Sequence, residues 1–369
     1  MDTARLRRIC LGVIQTAVGL GVLAWLLLSG AIDWHSIGRL LTVGWVLPTA
    51  AGLSLVNYAF MSWRLRVLMQ AQDLRLPFLA AYRLTVTAAF FSWVIPGGTG
   101  GDLVKMYFLG RWYPGKVTEA ITITLWDRAI GLATFLMLGL IAAAFMPNLA
   151  LSLPAITSLL ITCVAALLVG GVVLALALHT DWTQRWPLAT LERFGRAGQT
   201  VLRMFRVMHA YRRRLGSLVA GVILSLCAQA CLLATAYSLA TVVVDGGARP
   251  VMLVVLPIGW VTNALPISPG GLGVGEAAQE QLFKLVGLSG GAAVSISWRA
   301  VAIVMSLPGL WFYFRGRRPP SVPGPSEHAA DASLALDTHA AMPQPRQRPT
   351  KTGAPARDPL RRPTLLSGQ

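Results

Sequence analysis

Long apolar stretches constrain this chain more than any other feature. A helix needs about 20 apolar residues to cross the roughly 30 Å hydrocarbon core of a bilayer. Six stretches reach that length, approximately Ile9 to Ser29, Val43 to Trp63, Val117 to Phe145, Pro154 to Leu178, Leu218 to Val242 and Ala292 to Phe314. Because 55% of all residues are apolar and only 13% are charged, we expect an all-α polytopic membrane protein.

The basic residues indicate topology rather than nucleic-acid binding. The formal net charge is +17, but the Lys and Arg residues lie mostly between the apolar stretches. Short loops rich in Lys and Arg stay in the cytoplasm. Clusters of this kind are Arg5 to Arg8, Arg64 to Arg75, the loop Asp181 to Gly216, and Arg315 to Arg318. The sequence therefore predicts a protein of the cytoplasmic (inner) membrane with both termini in the cytoplasm, and no nucleic-acid partner.

Two shorter apolar stretches, Leu79 to Pro96 and Val251 to Ile267, do not fit as full spans. A full crossing by the first would place Lys105, Arg111 and Lys116 outside, against the positive-inside rule. A full crossing by the second stretch would likewise place the Arg315 to Arg318 cluster outside. Both conflicts disappear if each stretch enters, turns and leaves on the same side. We therefore predict two re-entrant hairpins, the first opening from the cytoplasm and the second from the exterior.

Each hairpin turns at a glycine-rich segment. Pro96 to Asp102 reads Pro-Gly-Gly-Thr-Gly-Gly-Asp, and Pro269 to Glu276 reads Pro-Gly-Gly-Leu-Gly-Val-Gly-Glu. Such a match between halves of opposite entry is typical of an inverted repeat, and interrupted segments in corresponding positions indicate a transporter's binding site.

The glycines of these turns are predicted to line an interior cavity, because unpaired backbone groups at membrane depth need a polar partner. Their N–H groups suit an anionic group such as a phosphate. The candidate residues are Gly97, Gly98, Gly100, Gly101, Gly270, Gly271 and Gly273. In the alternative interpretation, Asp102 and Glu276 cap the following helices and the glycines allow close packing. The two interpretations are compatible.

Charged residues inside a span are costly, which makes Asp127 and Arg128 candidate functional residues. Adjacent residues on a helix diverge by about 100°, so these two need partners elsewhere. For Arg128 the candidates are Glu276, Asp102 or a substrate phosphate, and Asp127 could pair with Arg299. The alternative is a purely structural ion pair between helices. Glu276, at membrane depth after a glycine turn, is a candidate carrier of a coupling proton.

The rest of the sequence predicts no metal site, cofactor or catalytic motif. Residues 319–369 change to Pro, Ala, Arg and Ser, which is typical of a disordered cytoplasmic tail. The chain is therefore divided into a transmembrane domain, residues 1–318, and a disordered Pro/Arg-rich tail, residues 319–369.

The two glycine turns and the Asp127-Arg128 pair resemble the lysylphosphatidylglycerol synthase transmembrane-region family, a group of flippase-like membrane proteins. The resemblance covers roughly Ile9 to Phe314, and the segment Leu265 to Glu276 is its most specific part. Members fused to a soluble aminoacyltransferase make lysyl-lipid and translocate it, and the resemblance assigns translocation to the membrane part. This chain shows no such soluble domain, so lysyl-lipid synthesis is not implied. Family members often have Glu where Asp127 stands.

These observations favour a transporter over an enzyme. The hypothesis is a flippase for a lipid or lipid-linked intermediate, whose head group occupies a cavity between the two hairpins. Arg128 would bind the phosphate, while Asp127, Asp102 and Glu276 would supply counter-charge or proton coupling. One alternative is a membrane enzyme such as a polyprenyl-phosphate glycosyltransferase, which needs acids at the membrane surface. A non-transporting scaffold is the third possibility.

Overall fold

The computed structural model describes residues 34–95, 100–148, 154–179, 209, 211–262 and 272–315. These residues form helices joined by turns. The helices are α1 (Trp34–Thr42), α2 (Val46–Gln70), α3 (Phe78–Val94), α4 (Gly100–Trp112), α5 (Val117–Ala144), α6 (Pro154–His179), α7 (Leu215–Val243), α8 (Met252–Val261), α9 (Val274–Leu285), α10 (Gly291–Ser306) and α11 (Pro308–Arg315). The predicted span Ile9 to Ser29, most of the loop Asp181 to Gly216 and the tail from Pro319 lie outside the described residues.

Four helical segments in the described part of the chain have the length and composition to cross a membrane. They are Val117–Ala144, Ile156–Ala175, Leu215–Val243 and Gly291–Arg315. Each coincides with a predicted span, which confirms a multi-pass all-α membrane protein. The predicted span Val43 to Trp63 is the helix α2, which begins three residues later and continues seven residues further. At 25 residues, α2 is about 37 Å long, which is long enough to cross a bilayer, although it is not among these four.

Among the described helices, α2 and α7 form the most extensive pair, and they run antiparallel. Three hydrogen bonds define their relative direction: Asn57 Nδ2 to the Ala228 carbonyl at 2.7 Å, Arg64 Nη1 to Ser225 Oγ at 2.7 Å, and Tyr211 Oη to the Leu68 carbonyl at 2.9 Å. Residue numbers rise along α2 as they fall along α7. Since α2 and α7 each precede one hairpin, their opposed directions agree with an inverted repeat.

Helices α3 and α4 form the first hairpin, and they pack with very little separation. A Cβ added at Gly101 would overlap the Ala88 carbonyl and the Ser92 hydroxyl, so only glycine fits there. At the other end, the Tyr113 hydroxyl just after α4 donates a hydrogen bond to the Arg75 carbonyl just before α3. The start of α3 and the end of α4 therefore lie side by side.

Helices α8 and α9 form the second hairpin. Gln279 of α9 donates a hydrogen bond to the Leu256 carbonyl of α8 at 2.9 Å, and its side chain fills the space beside Gly259. A Cβ added at Gly290, which follows α9, would lie 3.7 Å from Cγ2 of Val244, which precedes α8. The two ends of this hairpin therefore also lie together.

The buried apolar side chains divide into two main clusters, and each encloses one hairpin. The first contains Leu65, Leu109 and Ile123, from α2, α4 and α5. The second contains Leu239 and Phe283, from α7 and α9, together with residues of α8 and α10.

Candidate functional site

A cavity of about 330 Å³ lies among helices of both halves, and we call it the central cavity. Its charged lining residues are Arg64, Asp102, Lys105, Asp127 and Arg128. Its aromatic lining residues include Trp93, Phe135, Trp260 and Trp298. The sequence-predicted residues Asp102, Asp127, Arg128 and Gly101 are therefore together on one cavity surface. Glu276 is not among the lining residues.

Asp127 of α5 is buried between two cations. Its carboxylate accepts a hydrogen bond from Arg64 Nε at 2.7 Å and another from Lys105 Nζ at 2.6 Å. Its side chain is only 3% exposed. The predicted pairing of Asp127 with Arg299 is therefore wrong, because α2 and α4 face Asp127 and supply both of its partners.

Arg128 pairs with Asp102, which confirms one of the three partners considered for it. Arg128 Nη1 lies 2.5 Å from Asp102 Oδ2. Their side chains are 28% and 20% exposed, respectively, so this pair is far more accessible than the Asp127 cluster. Helix α4 thus contributes Asp102 and, one turn later, Lys105, and these contact Arg128 and Asp127 of α5. Two ion pairs therefore join α4 to α5: α4 supplies the acid in one of them and the base in the other.

Glu276 of α9 is buried and forms an ion pair with Arg299 of α10. Arg299 Nε lies 2.7 Å from one carboxylate oxygen, and the Gly273 N–H donates to the other at 2.6 Å. The second bond confirms that Glu276 caps α9. Gly273 has a φ of 79°, a backbone angle that residues other than glycine rarely adopt. Arg299 also lies over the ring of Trp93, 5.1 Å from its centre.

Only some of the predicted glycines belong to the described residues. Gly97, Gly98, Gly270 and Gly271 lie outside the described residues. Gly100 and Gly101 lie against α3, where a Cβ would overlap the carbonyls of Phe91 and Ala88. The close-packing interpretation therefore applies to these two, and Gly101 also lines the cavity.

Sequence reasoning missed two cations of the site, Arg64 and Lys105. Both were counted as loop residues that report topology, yet both are buried. The signal was available for Lys105, because Asp102 and Lys105 are three residues apart and share a face once α4 is helical. For Arg64, the predicted span ended at Trp63, whereas α2 continues to Gln70. Arg64 and Lys105 therefore cannot be counted as loop residues when the positive-inside rule is applied to this chain.

The aromatic lining residues form a continuous wall. Phe135 contacts Trp260 with ring centres 5.8 Å apart, Trp260 contacts Trp298 at 5.5 Å, and Trp298 contacts Trp93 at 6.0 Å. Because Trp93 belongs to the first hairpin and Trp260 to the second, this aromatic wall joins the two hairpins.

The described part of the chain holds no cluster of three His, Cys, Asp or Glu side chains that could bind a metal. Cys163, Cys227 and Cys231 are free thiols.

Long apolar helices around a charged internal cavity define a multi-pass integral membrane protein. The family described as lysylphosphatidylglycerol synthase TM region matches residues 12–309, and the chain belongs to this family. No curated protein and no solved structure matches the chain significantly.

Proposed function

We propose that this protein is a flippase for a lipid or lipid-linked intermediate of the cytoplasmic membrane, and that the lipid head group occupies the central cavity. The observation that carries the proposal is the charge of the cavity. Three cations, Arg64, Lys105 and Arg128, and two carboxylates, Asp102 and Asp127, line it. The excess of one positive charge in a desolvated site favours an anionic group such as a phosphate. Membership of a family named after a lipid-modifying enzyme's membrane region supports the same substrate class.

Arg128 is the proposed phosphate ligand. Its side chain and that of Asp102 remain partly exposed, whereas Asp127 is enclosed by its two partners. A guanidinium binds a phosphate through two parallel hydrogen bonds. In this proposal the phosphate replaces Asp102 as the partner of Arg128, and Asp102 neutralises Arg128 while the cavity is empty.

The size of the cavity suits a head group rather than a whole lipid. At about 330 Å³, it lies at the small end of ligand pockets, which span about 300–1,000 Å³. The acyl or prenyl chains therefore remain in the bilayer in this proposal. Asp127 has a supporting role, because it holds Arg64 and Lys105 beside the head group.

Proton coupling through Glu276 remains part of the proposal. Uptake of a proton by Glu276 would break its ion pair with Arg299 and so connect proton binding to the second hairpin. The test is the rate of translocation by Glu276→Gln over a series of pH values. Coupling requires a change in the pH dependence, and an unchanged profile would contradict it.

The principal experiment measures head-group translocation. Purified protein is reconstituted into vesicles that contain phospholipids with a fluorescent anionic head group, and an impermeant reductant reports lipid that reaches the outer leaflet. We expect translocation by the unmodified protein. Loss of a charged hydrogen bond costs about 1.5–3 kcal/mol, so Arg128→Gln should slow translocation by about 10-fold or more.

The matched control is Arg111→Gln. It removes the same charge from an exposed position near the end of α4, and translocation should remain unchanged. Folded unmodified protein that translocates none of the candidate lipids would contradict the proposal, as would normal translocation by Arg128→Gln. Comparing cells with and without the gene separates the alternatives: altered lipid species indicate an enzyme, altered sidedness a flippase, and neither a scaffold.

A further inference from the structure

The ion pairs Asp102–Arg128 and Glu276–Arg299 occupy equivalent positions in the two halves. Each acid lies in the first turn of the returning helix of a hairpin, α4 or α9. Each arginine lies on the next helix, 26 residues later in the first half and 23 residues later in the second. Because α2 and α7 run antiparallel, the two pairs are related by inversion across the membrane.

The two pairs differ in accessibility. Asp102 and Arg128 line the central cavity, and their side chains are partly exposed. The side chains of Glu276 and Arg299 are 0% and 4% exposed. Trp93 separates them from the cavity, because its ring lies against both Arg299 and Trp298. The cavity is therefore open to one pair and closed to the other by the aromatic wall.

We propose that Glu276–Arg299 is a second binding site for the lipid head group, and that the two ion pairs become accessible to the head group in alternation. In the state described here Arg128 is the accessible arginine. In the opposite state Trp93 and Trp298 separate, Arg299 exchanges Glu276 for the lipid phosphate, and the first hairpin closes over Arg128. This inference rests on the proposed function, since it assigns the lipid phosphate as the shared ligand.

The energetics favour partner exchange over simple opening. A buried arginine that loses a counter-charge is strongly disfavoured, whereas a phosphate that replaces Glu276 keeps the guanidinium paired. The lipid thus binds the opened state better than the closed state, which is the condition for shifting the equilibrium.

Packing identifies the part that moves. A Cβ at Gly291 of α10 would overlap the Gln279 carbonyl of α9, and Gln279 in turn fills the space beside Gly259 of α8. These close contacts make α8, α9 and α10 one rigid unit. The contacts of Trp93 with Trp298 and Arg299 are then among those that must separate when this unit rocks against α3.

Two introduced cysteines report the two states. Ala89→Cys places a thiol on the cavity wall, where Ala89 is half-buried. Ser295→Cys places one on α10, buried one turn before Arg299 and on the same helix face. Each is made in a chain whose four cysteines are replaced by serine. Reaction with an impermeant maleimide is then followed in vesicles opened to the reagent on both faces.

The expected result is reciprocal. With both ion pairs intact, the Ala89→Cys thiol reacts and the Ser295→Cys thiol does not. Coupling between sites changes an equilibrium by about 5- to 150-fold, so Arg299→Gln should speed reaction at position 295 by about 10-fold and slow it at position 89. Lys284→Gln, which removes an exposed charge from α9, is the matched control and should leave both rates unchanged.

Faster reaction at position 295 without a slower one at position 89 would show local loosening and overturn the inference, as would no change at either position. If Arg299→Gln does not fold, Trp93→Ala gives the same test, because it opens the wall without unpairing a charge. Reciprocal labelling without lipid translocation would reject the proposed function alone. Translocation without reciprocal labelling would reject only the alternation of the two binding sites.

Discussion

Asp127 shows how a residue that is costly in a membrane becomes tolerable. Its carboxylate has two cationic partners, and Arg64 has a further partner in Ser225 Oγ at 2.7 Å. Buried charges are retained in proteins when they are paired and hydrogen-bonded. The sequence indicated that Asp127 needs a partner, but the partners come from two helices that are 63 and 22 residues away in the chain.

We expect Asp127→Asn to destabilise the protein strongly. The substitution leaves the buried cations Arg64 and Lys105 without their common carboxylate, and breaking a buried pair costs about 3–5 kcal/mol. The measurement is the thermal unfolding midpoint of the purified protein in detergent. Asp245→Asn is the control, because Asp245 is 84% exposed in its pair with Arg39, and exposed pairs contribute about 0–1 kcal/mol. Equal midpoints for the two variants would refute this assignment.

At the scale of the element, the hairpins combine two roles for glycine. Gly273 supplies a positive φ before α9, whereas Gly101 allows the backbones of α3 and α4 to approach each other. The sequence indicated both roles without separating them. Only the packed helices distinguish a glycine needed for its φ from one needed for its lack of a side chain.

Gly101→Ala should destabilise the first hairpin. The added methyl group overlaps the Ala88 carbonyl, and overpacking of this kind costs about 1–3 kcal/mol. Gly52→Ala in α2 is the control, because no atom lies within 4 Å of the added Cβ. The control should gain up to about 1 kcal/mol from alanine's better helix propensity. Unfolding in detergent measures both, and a Gly101→Ala variant as stable as the control would argue against the close packing.

In the whole molecule, the antiparallel packing of α2 and α7 predicts which residues lie on the same face of the membrane. Tyr113 and Arg75 are joined at the open end of the first hairpin. Asp245, at the opposite end of the antiparallel α2–α7 pair, forms an ion pair with Arg39 at 3.3 Å. Residues at these two ends should therefore lie on opposite faces of the membrane.

Cysteine labelling in sealed vesicles tests this arrangement. In a chain without native cysteines, Arg75→Cys and Lys116→Cys should react from the same face, which we expect to be the cytoplasm. Asp245→Cys and Lys284→Cys should react from the other face. If Arg75→Cys and Lys116→Cys were labelled from opposite faces, the first hairpin would be a full span and the re-entrant prediction would fail.

The sequence predicted the membrane class and the spans that coincide with α5, α6, α7 and the α10–α11 segment, and it located the glycine-rich segments at the starts of α4 and α9. Apolar length and glycine-rich turns are local properties, and a helix in lipid satisfies its own backbone groups. The sequence also singled out Asp127 and Arg128 as candidates, because charge at membrane depth is costly wherever the chain folds, and Asp102 because it ends a glycine-rich turn.

Tertiary structure alone decided how the charges pair. Asp127 meets Arg64 and Lys105, and Glu276 meets Arg299, because helix rotation and close packing place these side chains face to face. In the sequence Lys105 and Arg64 resemble loop residues, but in the structure they are buried side chains of α4 and α2. Partner choice between helices depends on their relative orientation, which residue spacing within one segment does not specify.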